Sequence, residues 1–145
     1  MMLAFLAACL GALLSIWVFY PGYMSFDSAY QWWQVRHGVI DPAHPPVMTL
    51  IWSFTEYMLS GPGGYFVLQQ LVYWIAIGAF IMSLRLPTPM KVALVLMLGF
   101  WPPLWGLSLH LWKDVGMFSL FCLACACYSQ DLVRPSAVLR APPCS

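Results

Sequence analysis

"SFDSAYQWWQVRHGVIDPAHPP", residues 25–46, sets a polar run inside an otherwise apolar chain. It gathers Asp27, Arg36, His37, Asp41 and His44 with three prolines, in a chain that is 62% hydrophobic and 8% charged. Within it Asp27, Gln31 and Gln34 recur at i, i+4 and i+7, and Phe26, Tyr30 and Trp33 recur at the same spacing one residue earlier. That pattern predicts an amphipathic helix, capped by Ser25 and stopped by Gly38. Its aromatic side belongs at the headgroup level of a membrane, where Trp and Tyr concentrate. A polar helix of this kind, set between long apolar runs, marks a loop that rides on a bilayer.

The flanking sequence supplies the bilayer-crossing segments. An apolar content of 62% exceeds the roughly 45–50% of an ordinary soluble domain, so lipid is the expected solvent. Residues 1–20 form one apolar run closed by Pro21-Gly22, long enough to cross at 1.5 Å per residue. Leu6-Ala7-Ala8-Cys9 has the small-residue pattern of a lipoprotein signal, but no Lys or Arg precedes it. Residues 65–84, 92–109 (interrupted by Pro102-Pro103) and 115–133 are further spans. The run 47–59 is shorter, and its Thr49, Ser53, Glu56 and Ser60 form one helical stripe, which suits an interfacial or protein-packed helix.

Charge decides between the topologies, since cytoplasmic loops are enriched in Lys and Arg. With a cytoplasmic N-terminus, a crossing 47–59 segment would leave Arg85, Lys91, Arg134 and Arg140 all outside. If 47–59 stays in the outer interface, the same residues lie inside. The expectation is therefore an all-α membrane protein with about four transmembrane helices and one or two extracytoplasmic interfacial helices, or five spans if 47–59 crosses. Residues 1–130 form the multispanning membrane domain, and 131–145, rich in Pro and Ser, a loose tail. This arrangement puts Asp27, Arg36, His37, Asp41, His44, His110, Lys113 and Asp114 on one side of the membrane.

Each polar candidate has a structural account beside a functional one. Asp27 sits where a helix dipole stabilises a carboxylate. His44-Pro45-Pro46 fixes the chain in an extended form, either aiming the histidine along the membrane surface or starting the next helix. Lys113 can snorkel to the headgroups, and Asp114 can cap the last helix. Cys122, Cys125 and Cys127 are a turn apart on an apolar segment without a histidine, which favours packing between helices over a metal site. No metal ligand set, nucleotide motif or flavin motif is present, and a net charge of +1 gives no reason to expect nucleic acid.

In order along the chain, an apolar first span, "PGYMSFDS" at 21–28, "HPPVMTLIW" at 44–52, a span closing on Arg85, and "WPPLWGLSLHLWKD" at 101–114 follow one another. This order resembles the N-terminal part of the GT-C superfamily, multispanning glycosyltransferases that use polyprenyl-phosphate sugars. Protein mannosyltransferases and lipid A aminoarabinose transferases belong to it. The resemblance covers residues 1 to 130, and implies a bacterial inner-membrane glycosyltransferase fragment with a polyprenyl-phosphate sugar as donor and no cofactor. It implies Asp27 as the catalytic carboxylate, and His44, Lys113 and Asp114 at the donor phosphate. Many relatives carry a second acid directly after the first, where this chain has Ser28. Family members are much longer, so the resemblance also implies a truncated enzyme. The contrasting expectation is a non-catalytic membrane protein or subunit that packs against a larger membrane partner.

Overall fold

The computed structural model describes residues 2–41 and 46–133, with the backbone alone for 131–133. Seven helices account for almost all of it: α1 (Met2–Phe19), α2 (Phe26–His37), α3 (Pro46–Met58), α4 (Pro62–Ser83), α5 (Thr88–Gly99), α6 (Pro102–Ser108) and α7 (Lys113–Val133). No strand occurs among the described residues; Tyr23 and His110 form one isolated parallel bridge.

Helix α1 shows why this chain suits a bilayer. Its protein-facing side is built from Ala4, Ala7, Ala8, Gly11, Ala12 and Ser15, while Leu3, Leu6, Leu10, Leu13, Leu14 and Trp17 are exposed. Small residues let helices approach closely where lipid removes the hydrophobic drive for association, and large apolar side chains then face outward. Trp74 of α4 fills the gap that this creates: a Cβ on Gly11 of α1 or on Gly99 of α5 would overlap its indole ring. Helix α4 is central and packs chiefly on α7 and α1. The resulting core joins Ala8 and Ala12 to Tyr73, Trp74, Ile77, Val95 and Val115.

Among the described residues two helices, α1 and α4, are long and apolar enough to cross a membrane, and a third span results if α5 and α6 are one helix bent by 62°. The break falls at Trp101-Pro102-Pro103, where proline can neither donate a helical hydrogen bond nor tolerate the preceding turn. Helix α3 has 13 residues, roughly 20 Å of rise against the ~30 Å of a hydrocarbon core. Helix α7 has 21 residues and opens with Lys113 and Asp114 in its first turn.

Helix α2 begins and ends where its caps predict. The Ser25 side chain accepts from the Ser28 N–H, and Gly38 closes the helix in the left-handed region at φ 66°. Ser28, Gln31 and Gln34 are buried, whereas Phe26 and Trp33 are exposed. The polar face therefore packs inward, where Ser28 bonds to the Leu111 carbonyl while the Gln34 amide is buried without a partner among the described residues, and the aromatic face is left to the outside.

Candidate functional site

Residues 109–112, between α6 and α7, are not helical and Ser108 ends α6, so the carbonyls of 108–112 need partners from elsewhere. Tyr23 supplies two backbone bonds, its N–H to Leu109 O (2.9 Å) and its carbonyl from Leu111 N–H (3.0 Å). Ser28 of α2 donates to Leu111 O at 2.6 Å. Two buried amides of α4 hold the remainder: Gln69 donates to Ser108 O and His110 O at 2.9 and 2.7 Å, and Gln70 to Ser108 O at 2.6 Å. The Trp112 indole donates to Ser25 Oγ at 2.9 Å. The start of α7 is thereby tied to the start of α2, although the two lie far apart in sequence.

Between these two helix starts lies a cleft of about 210 Å³, lined by Asp27, Ser28, Gln31, Leu111, Trp112, Lys113 and Asp114. Asp27, Lys113 and Asp114 are exposed, and none of them makes an ion pair or hydrogen bond among the described residues. The ion pair that does form there, Arg36 to Glu56 at 3.4 Å, belongs to the α2–α3 contact. Both carboxylates and the ammonium are thus left available to whatever enters the cleft. Two acids stand against one cation, and the first turn of α7 adds the positive end of a helix dipole beside Lys113.

Gln31 is the residue that charge-based reasoning missed. It is 3% exposed, and its Nε2 is buried without a hydrogen-bond partner among the described residues. A buried donor left unpaired costs about 1–3 kcal/mol. The signal in the sequence was its place on the polar face of α2, one turn after Asp27.

Glu56, Tyr30 and His110, at the same end, are engaged in structural contacts. Glu56 accepts from the Trp32 indole (3.1 Å) and the Gly61 N–H (2.8 Å), fastening α2 to the α3–α4 turn. Tyr30 donates to Asp41 at 2.8 Å; that bond first, then partial burial and the Asp41 charge, pushes the phenol above its usual pKa. His110 bonds to Gly106 O through Nδ1 and lies between the rings of Tyr23 and Trp112, so it is held rather than aimed into the cleft. His44 lies outside the described residues. Cys9, Cys122, Cys125 and Cys127 are free thiols, and no group of three or more His, Cys, Asp or Glu side chains converges among the described residues.

The fold and cleft define an all-helical chain, with helices of membrane-crossing length and a polar pocket at one end of the bundle. Compared with known protein families, curated proteins and solved structures, the chain matches none.

Proposed function

We propose that this chain is the donor-binding portion of a membrane glycosyltransferase that uses a polyprenyl-phosphate sugar, with the N-terminus cytoplasmic and the cleft on the extracytoplasmic side of a bacterial inner membrane. In this reading α7 is the fourth span, and α2 and α3 lie in the outer interface. The observation that carries it is the convergence of Asp27 with Lys113 and Asp114 in one cleft, matching the roles that the sequence resemblance implies.

The chemistry follows from the residue types. An acceptor hydroxyl attacks the anomeric carbon, and Asp27 takes the hydroxyl proton as the new C–O bond forms. The bond from the anomeric carbon to the phosphate oxygen breaks, and its electron pair leaves with the lipid phosphate. Lys113 and the first turn of α7 stabilise that anion. Because the phosphate departs as a stable anion, no second acid is needed to protonate it, which accommodates Ser28 at the position after Asp27. Asp114 lies next to Lys113 at the phosphate end of the cleft, with His44 assigned to the same end by the resemblance.

The chain in proteoliposomes, given a labelled polyprenyl-phosphate hexose, tests this reading. Saturable binding that Lys113→Ala weakens is expected. Turnover of the chain alone would show that 1–130 is a complete catalytic unit, and Asp27→Asn should then lower the rate by ~10²-fold or more. Absence of saturable binding overturns the reading.

A second reading is a subunit that packs against a larger membrane protein. It is favoured by two apolar grooves along α1, one of about 470 Å³ against α5 and one of about 380 Å³ against α4. A scaffold would tolerate Asp27→Ala with its partner still bound, whereas a transferase would lose its chemical step.

A further inference from the structure

Gln31 presents a contradiction that the apo cleft leaves open. Its amide is buried deeply enough to lose water, it faces the cleft shared by Asp27, Trp112 and Lys113, and its Nε2 has no partner among the described residues. The neighbouring donors are already committed. Ser28, one turn earlier on the same face, gives its hydroxyl hydrogen to Leu111 O. Trp112 gives its indole hydrogen to Ser25 Oγ, leaving the ring itself on the cleft wall. Among the described residues lining this wall Gln31 is therefore the uncharged donor without a partner of its own, and an acceptor oxygen on an entering ligand satisfies it.

The charge of the cleft narrows which oxygen. Two carboxylates oppose a single ammonium, and Lys113 stands on α7, across from Gln31 on α2. On α7 the Lys113 ammonium offsets Asp114 beside it, so an anionic oxygen is placed at Lys113 and the first turn of α7 rather than next to the unopposed Asp27 on the side of Gln31. A neutral hydroxyl suits the α2 side, since it accepts from an amide while donating to a carboxylate. An indole wall, a carboxylate and an amide donor together match a polyhydroxylated ring.

We propose that Gln31 is a specificity-determining residue that reads a sugar hydroxyl, its Nε2–H donating to that oxygen while Lys113 holds the phosphate. The proposal rests on the donor-site reading above and names the part of the donor that Gln31 senses.

The test compares two lipids in nanodiscs, polyprenyl phosphate and polyprenyl-phosphate hexose, against the native chain, Gln31→Met and Gln31→Ala. Methionine keeps the volume and removes the unpartnered amide. Its Tm should therefore equal or exceed that of the native protein, while affinity for the hexose-bearing lipid falls about tenfold and that for bare polyprenyl phosphate changes less than about twofold. A single-position deoxy-hexose lipid should bind native protein more weakly but lose nothing further in Gln31→Met. Equal weakening of both lipids, unchanged affinity for both, or a Tm loss in Gln31→Met shared by Gln31→Ala overturns the role of Gln31 while leaving the donor site standing. Failure of the native chain to bind either lipid overturns the donor site, and this inference with it.

Discussion

Ser28 directly follows Asp27, and its environment explains why an acid does not fit at this position. It is 1% exposed and donates to Leu111 O at 2.6 Å. A carboxylate has no hydrogen to give at neutral pH and would repel that carbonyl. Ser28→Asp is expected to lower stability by about 1–3 kcal/mol, read as the midpoint of thermal unfolding in detergent, and Ser28→Thr to retain most of it. Glu56 poses the opposite case, a charge that matters through its neutral partners. Its ion pair with Arg36 is half exposed on the arginine side, and such pairs contribute little. The bonds from the Trp32 indole and the Gly61 N–H are the ones lost on truncation. Arg36→Ala should therefore change stability by less than about 0.5 kcal/mol, and Glu56→Ala by about 1–3 kcal/mol; equal losses for both would contradict this assignment.

Among the elements, α1, α4 and α5 meet around one indole ring. Trp74 occupies the space that Gly11 and Gly99 leave open, and its N–H reaches Ser15 Oγ at 3.3 Å. Trp105 of α6 donates to the same hydroxyl at 2.9 Å, so a single buried serine joins α1, α4 and α6. A hydroxyl oxygen has two acceptor sites and can serve both. Glycine changes then separate by location. Gly11→Ala forces its methyl into the Trp74 ring and is expected to cost about 1–3 kcal/mol. Gly106→Ala, in α6 with nothing near its added methyl, should be neutral or stabilising by up to about 1 kcal/mol. Chemical denaturation of the two variants side by side checks the contrast. Destabilisation of both by the same amount would mean that α1 does not close on Trp74.

The whole molecule has two chemically distinct ends. The turn after α1, helix α2, the α3–α4 turn and the 109–114 segment meet at the end that holds the cleft, with Tyr20 packed against Gly63 and Tyr23 bridged to His110. At the opposite end Lys91 donates to Met82 O beside the α4–α5 turn. If the bundle crosses a membrane once per long helix, residues 27 and 113 share one aqueous compartment and residue 85 faces the other. In a cysteine-free background, cysteines at 27 and 113 should react with an impermeant thiol reagent from the same side, and one at 85 from the opposite side. Reaction of 27 and 113 from different sides would break the cleft apart and end the functional proposal. Exposed positions are required, because Ser28 and Leu111 at 1% and 0% exposure would not be reached by a reagent.

Local chemistry made much of this legible before any tertiary contact was known. Ser25 and Gly38 bound α2 because capping depends on side chain and backbone within a few residues. The proline pair at 102–103 broke α5 from α6 for an equally local reason. What the chain alone could not decide was which way α2 faces. Its period separates a polar from an aromatic side, but in a bilayer either side can be the buried one, since lipid accepts aromatic rings and protein interiors accept paired amides. The carbonyls of 108–112 decided it: where α6 ends and the chain runs non-helical to α7, they must find donors, and Ser28, Gln69 and Gln70 were the ones brought within reach. Composition and spacing determined the helices and their membrane character; only the tertiary structure, by satisfying that backbone, drew Asp27, Gln31 and Lys113 into one cleft.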